Sequence, residues 1–297
     1  MITEYLETLK KRAQQSGGFS YRERSEQFRP DATAWATLAL TIHNAGEVDV
    51  QHARSRLAAE QMADGRVAIS SDHPEAFWPT SLAILAWHKS PPHRESQQRA
   101  VHFLLETTGY HSQQKANAPV AHDTGIKGWP WIADTHSWVE PTALGIIALR
   151  VTGNSGHQRV DEARRMLMDR QISSGGWNYG NTGVFGQELH PMAATTGIAL
   201  AGLEDLASRS EVEVSLKYLK SSIDTLHTPQ SLGWGLLGLS AWEERPAEAS
   251  TLISECLKRQ EQFGAYDTQS LSLLLVAWVA SEGLIHKIAE TNKVHYG

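Results

Sequence analysis

The sequence predicts an all-α protein, an (α/α)6 toroid in which six helical-hairpin repeats form a double-layered barrel. A phrase that opens on a small polar residue, usually Thr, and runs on into Ala and Leu returns six times. Its copies begin at Thr33 (TAWATLAL), Thr80 (TSLAILAW), Thr142 (TALGIIAL), Thr196 (TGIALAGL), Leu232 (LGWGLLGL) and Thr268 (TQSLSLLL). They lie 36 to 62 residues apart, the period of stacked supersecondary units. Second, Gly-rich turns precede most copies: Gly17-Gly18-Phe19, Asp64-Gly65-Arg66, Gly128-Trp129, Gly175-Gly176-Trp177 and Gly264-Ala265-Tyr266. Third, the runs at 143–149 and 270–280 are rich in Ala, Leu and Gly, and they lack the period-2 alternation of strands.

The elements follow in a fixed order within each unit. The N-terminal MITEYLETLKKRAQQ has no apolar signal core and reads as an amphipathic opening helix. Each repeat then has a helix of mixed face, such as 51–61, 95–106 or 160–170, followed by the Gly turn, a variable polar loop and the apolar run. The mixed helices have one apolar stripe and belong outside. The runs are apolar nearly all round, as helices buried on both sides are. Alternation of the two kinds implies an outer and an inner layer. The repeat covers the chain from end to end, so residues 1–297 read as one domain.

Composition narrows the function classes. The net charge is −6, and no basic block is longer than Lys10-Lys11-Arg12, which argues against a nucleic-acid partner. No apolar stretch reaches membrane-spanning length. The one cysteine, Cys256, excludes an intrachain disulfide framework and fits a reducing, cytoplasmic compartment. Ten tryptophans suit either a large apolar cavity or an aromatic core.

The turns carry a further signature. Gln171-Ile172-Ser173-Ser174-Gly175-Gly176-Trp177 matches a Gln-x(3)-Gly-x-Trp repeat. Weaker copies stand at Gln14–Phe19, Gln61–Arg66 and Gln262–Tyr266. With the six apolar runs, the chain resembles the squalene cyclase and protein-prenyltransferase β-subunit superfamily, as a single-domain member. The resemblance implies an α/α toroid in which Gln171 and Trp177 tie adjacent outer helices together. It also implies a barrel interior that takes an apolar polyprenyl-type molecule, and peripheral contact with a membrane is compatible with such a ligand.

In class II cyclases the protonating acid is the middle Asp of Asp-x-Asp-Asp-Thr-Ala, just before an inner helix, and no Asp-x-Asp-Asp occurs here. The matching position, two residues before each phrase, holds Asp31, Trp78, Glu140, Ala194, Gln230 and Tyr266. Both acids precede Thr-Ala. Pro141 suits a first helical position, which puts Glu140 at or beside the N-cap, where backbone N–H groups would hold a carboxylate. Desolvation in an apolar cavity would push its pKa back up and keep it protonated. His136 or Asp134 would be the hydrogen-bonding partner. Trp35, Trp78, Trp129, Trp131, Trp138, Trp234 and Tyr266 would line the cavity and face a cation. Each acid also reads as a plain helix cap, and His136 as a structural histidine. Asp267 and the pair His122 and Asp123 are weaker candidates for the same mouth.

Prenyltransferases bind zinc through Asp-x-Cys and a later His. Here Asp134-Thr135-His136 and Tyr266-Asp267-Thr268 lack the thiolate, so no metal and no cofactor is expected. The reactive Cys-Gly-Glu-Gln of thioester toroids is absent as well. The leading expectation is a class II-type terpene cyclase-like enzyme that protonates an alkene or epoxide, with Glu140 or Asp31 as the acid. The alternatives are a non-catalytic toroid that binds a polyprenyl chain, a lipid or a protein, and an (α/α)6 glycosidase or polysaccharide lyase with paired carboxylates.

Overall fold

The computed structural model describes residues 2–23, 25, 27–113 and 119–291. Its helices are α1 (Ile2–Lys10), α2 (Pro30–Ile42), α3 (Glu47–Ala59), α4 (Pro79–Ala86), α5 (Arg94–Glu106), α6 (Val139–Val151) and α7 (Gln158–Asp169). They continue as α8 (Ala193–Leu203), α9 (Arg209–Ser222), α10 (Pro229–Ser240), α11 (Ala249–Lys258), α12 (Gln260–Phe263), α13 (Thr268–Val279) and α14 (Leu284–Glu290). Strands β1 (Gly183–Val184) and β2 (Gln187–Glu188) form one short antiparallel hairpin in the loop before α8. Among the described residues, no single helix is long and apolar enough to cross a membrane.

The six repeated phrases fall on α2, α4, α6, α8, α10 and α13, and these helices are buried almost throughout. They pack in a closed cycle: α2 on α4, α4 on α6, α6 on α8, α8 on α10, α10 on α13, and α13 back on α2. Helices α3, α5, α7, α9, α11 and α1 keep an exposed face and lie outside them, against α2, α4, α6, α8, α10 and α13 respectively.

The threonine of the phrase has a specific structural use. The backbone N–H of Phe19 donates to Thr33 Oγ1 (3.0 Å), that of Val67 to Thr80 (2.9 Å), that of Trp129 to Thr142 (3.0 Å) and that of Trp177 to Thr196 (3.0 Å). Each hydroxyl donates back to the carbonyl of that same residue, at 3.2 to 3.5 Å. The donor residue ends or follows the Gly turn, so each clasp ties a turn to the first turns of the next inner helix. All four threonines are fully buried, where an unpaired N–H or C=O is costly.

The last copy closes the cycle. Thr268 donates to Ser20 O (2.5 Å) and accepts from Arg12 Nη1 (3.1 Å), while its own N–H donates to Tyr21 O (2.8 Å). The exception, Leu232, has no hydroxyl. There Thr228 caps α10 instead, accepting from the Ser231 N–H (3.3 Å).

The glutamines of the turn signature reach the next outer helix. Gln61 donates to Ser96 O (2.9 Å), and Gln171 donates to Ser215 Oγ (2.7 Å). Gly175 has φ +99°, and a Cβ there would stand 2.6 Å from Val214 O, so only glycine fits where the turn rests on α9. Between α8 and α10 the approach is closer still. A Cβ on Gly197 would stand 2.2 Å from Trp234 O, and one on Gly238 2.5 Å from Gly197 O, so the two backbones touch directly.

Helix α14 lies across the C-terminal ends of the inner helices. It packs on both α6 and α13, which are opposite members of the cycle, and buries Leu284 and Ile288. Lys89, just past α4, donates to the carbonyls of Ala289 and Thr291 at its end. His286 stands 3.7 Å from Glu204 at the end of α8. The cycle of inner helices is therefore covered at this end, and its other end carries the helix N-termini.

Thr142→Val keeps side-chain shape but leaves Trp129 N–H and C=O without their buried partner. It is expected to cost about 1–3 kcal/mol in urea unfolding. A loss no larger than that of a surface substitution would show that the clasp contributes nothing.

Candidate functional site

The end that α14 leaves open is ringed by the first turns of the inner helices. There Trp78, Glu140, Ala194, Gln230, Tyr266 and Gln269 are half-buried, whereas the inner helices are almost fully buried from their second turn to their last.

Helix α6 begins two residues before Pro141, with Trp138 at its N-cap and Val139 as its first residue, held by a hydrogen bond from the Val139 N–H to Tyr179 O (2.9 Å). Glu140 is thus the second helical residue, not the cap, and Pro141 is third, still within the turn where a missing N–H costs nothing. The expected backbone donors are not engaged: no side chain caps this helix. Glu140 is half-buried at this end of the inner helices. Burial alone pushes its pKa up to about 7; no charged neighbour contributes.

Asp31 is the second residue of α2 and is 1% exposed. Arg29 grips both its oxygens, Nε to Oδ1 at 2.9 Å and Nη2 to Oδ2 at 2.7 Å, and the same guanidinium lies 4.8 Å from the centre of the Tyr21 ring. Asp31 is therefore half of a buried ion pair.

His136 and Asp134 are exposed, and neither hydrogen-bonds to Glu140. Tyr110 draws this segment outward: its N–H donates to Thr135 O (2.8 Å), and its ring meets His136 edge-on at 5.8 Å. A spacing of four to six residues in an extended loop did not bring these groups to the carboxyl. Among the described residues, no three or more His, Cys, Asp or Glu are grouped to hold a metal ion.

The aromatic set divides in two. Trp78 caps α4, beside α6, and meets Trp131 edge to face at 5.3 Å; the Ala133 N–H donates to Glu75 O (2.8 Å) and holds this loop over the α4 start. Trp138 packs on Gly180, where a Cβ would stand 2.9 Å from the indole. These three tryptophans are half-buried.

The other four are committed elsewhere. Trp129 is buried under Gly145, donates to Leu104 O (3.0 Å) and carries Arg159 on its face at 4.3 Å. Tyr266 donates its hydroxyl to Cys256 O (2.8 Å) in the outer layer. Trp35 and Trp234, 1% and 2% exposed, meet edge to face at 5.6 Å and join α2 to α10. Trp129 and Tyr266 thus serve packing, and Trp35 and Trp234 fill the interior.

Two groups escaped the sequence reading. Arg29, two residues before Asp31, was legible only as one basic residue among many. Glu204, at the end of apolar α8, is also pushed to about 7, mainly by burial, against the pull of Arg150 and His286. It lies under α14, at the closed end.

No protein-family model matches the chain, and no curated protein is significantly similar to it. Solved structures are similar. The type II terpene cyclase MstE from Scytonema superposes with TM-score 0.65 at 12% identity, over 97% of this chain and 96% of that one. The fold is that of the squalene cyclase and prenyltransferase toroids. A variant of MstE in complex with its substrate, geranylgeranyl dihydroxybenzoate, gives 0.62 at 12%, over 97% and 96%. An α-1,6-mannanase from Salegentibacter gives 0.63 at 12%, over 96% and 98%. The toroid is thus shared with a sugar hydrolase, and fold does not decide the chemistry.

Because the Glu140 pKa is raised in the folded state, folding favours its protonated form. Its contribution to stability is intact below the ordinary carboxylate range, near pH 4.5, and is lost as pH rises through about 7. Glu140→Gln is therefore expected to raise Tm at pH 8 and leave it unchanged at pH 4.5, as read by scanning calorimetry. Equal effects at both pH values would contradict the raised pKa.

Proposed function

We propose that this chain is an isoprenoid-handling enzyme of class II terpene cyclase type, built as one domain on a double-layered barrel of six helical hairpins. The observation that carries the reading is Glu140: a lone, half-buried carboxyl at the helix N-termini, raised to about 7 by burial with no charged neighbour. At neutral pH a large share of it holds a proton, which an ordinary carboxyl does not.

The proton passes from the Glu140 carboxyl to the less substituted carbon of an alkene, or to the oxygen of an epoxide. In the alkene case the π pair forms the new C–H bond and the adjacent carbon is left as a tertiary cation. A second double bond of the same molecule then attacks that carbon and closes a ring, which moves the cation to the far carbon of that double bond; there, or at the first cation when no ring closes, a neighbouring C–H gives its proton to water and its electron pair becomes the alkene of the product. Trp78, Trp131 and Trp138 supply the faces that stabilise the cation, each worth about 0.5–2 kcal/mol. Water returns the proton to the Glu140 carboxylate. The prenyl substrate named for the MstE complex supports an apolar partner of this class.

The mannanase likeness raises glycoside hydrolysis as a second reading. That reaction uses two carboxyl groups about 5–10 Å apart. A second acid so close would raise the Glu140 pKa by repulsion, and burial is the sole cause of its shift. Asp31 is held by Arg29. The lone acid favours protonation of an alkene.

The test is incubation with prenyl alcohols from prenol to geranylgeraniol in deuterated water. Carbon-bound deuterium or cyclised product is expected from the wild type, with a rate that falls as pH rises above 7. Glu140→Gln is expected to cut it by about a hundredfold to ten-thousandfold. Conversion unaffected by Glu140→Gln removes the acid. Binding without any turnover makes the protein a non-catalytic toroid.

A further inference from the structure

At the opposite end of α6 from Glu140, past the C-terminal ends of α4 and α6, lies a cavity of about 610 Å³. His88 and Lys89 follow α4, Arg94 and Gln98 stand on α5, and Val151 and Thr152 close α6; all six line the cavity. Among the described residues no Asp or Glu does. Its volume lies within the range of small-molecule sites and is far more than a lone ion needs.

The carbonyls that two helix ends turn toward such a space already have donors. Gln97 donates to Ile84 O (2.8 Å), Arg54 to Ala86 O (2.7 Å) and the Asn154 N–H to Leu149 O (2.8 Å). The donors that line the cavity are left over. The Arg94 guanidinium and the Gln98 amide make no hydrogen bond or ion pair with any described residue, and neither nitrogen of the His88 ring is hydrogen-bonded to one. Lys89 directs two of its three N–H donors to the carbonyls of Ala289 and Thr291 and keeps the third.

The charge is equally one-sided. Lys89 and Arg94 bring two positive charges, and neither forms an ion pair with a described residue. His88 registers the same field. Burial first, then Lys89 and Arg54, push its pKa down to about 4, and no carboxylate opposes them. At pH 7 its ring is therefore neutral, with one nitrogen that donates and one that accepts.

We propose that this cavity binds a small phosphorylated organic molecule. A phosphate monoester carries nearly two negative charges at neutral pH, and Lys89 with Arg94 match them. Arg94 offers the forked N–H pair that fits two phosphate oxygens. Gln98 and His88 add neutral donors, and Val101 and Val151 give the carbon part an apolar wall. A carboxylate would leave one of the two cations uncompensated. The site is independent of the reading of Glu140, since it shares no residue with the open end.

Phenyl phosphate, inorganic phosphate, benzoate and phenol are titrated by calorimetry into the full chain at pH 7 and low salt. Phenyl phosphate is expected to bind about tenfold or more tighter than each of the others, because it alone combines the dianion with an apolar body. Arg94→Gln removes no side-chain contact within the described protein and is expected to weaken that binding by about tenfold to a hundredfold. Glu140→Gln is expected to leave it unchanged, whatever its effect on turnover. Absence of binding by phenyl phosphate, or binding that Arg94→Gln does not weaken, overturns the proposal. Equal affinity for inorganic phosphate would mean an anion held without an organic ligand, and equal affinity for benzoate would mean no preference for phosphate; either result overturns it as well.

Discussion

A turn residue left buried beside an inner helix has an N–H and a C=O that must both find partners, and in four of the six repeats one threonine hydroxyl satisfies the two together. The rest of the structure hangs on that constraint. It fixes each of those four Gly turns against the first turns of the next inner helix. The turn in turn rests on the next outer helix closely enough that Gly175 admits no side chain. Inner layer, turn and outer layer are thereby locked in sequence around the cycle, and the open end inherits its shape from a repeated hydroxyl.

That rigid frame explains how a carboxyl can be kept near neutrality without a dedicated partner. Glu140 is half-buried at the second position of its helix, and no cation is near enough to compensate its charge. The contrast with Asp31 is instructive. Both acids stand at the second position of an inner helix before Thr-Ala, yet one is gripped by a guanidinium and the other is alone. Equivalent places in a repeat carry opposite chemistry because the loop before α2 supplies Arg29 and the loop before α6 supplies tryptophans.

Much of the architecture was legible in the sequence. The apolar phrase and the Gly turns located all the inner helices, and Gln171 links adjacent outer helices as the repeat implied, whereas the Trp177 indole donates to Leu167 O of the helix just before it. Helix starts were legible only to a few residues: Pro141 suggested the first position of α6, but the bond from Val139 to Tyr179 starts it earlier. The placement of Glu140, Trp78, Trp131 and Trp138, half-buried at or beside the helix N-termini, was legible. It was not legible at His136 and Asp134, since which way an extended loop turns depends on Tyr110, far upstream. Nor could composition divide the tryptophans between open end and core. That division is fixed by contacts between α2 and α10, whose residues are some two hundred positions apart.

The seam of the cycle has a kinetic meaning. The bond between Thr268 and Ser20 joins residues 248 positions apart, whereas the other clasps span at most 19. Chain entropy makes such a distant pairing late, after the local hairpins have formed. The interior pair bridges the same seam, Trp35 from the early part of the chain and Trp234 from the late part. An incompletely closed cycle would therefore hold its hairpins and its turns, yet lack the contact between Trp35 and Trp234 that fills its interior.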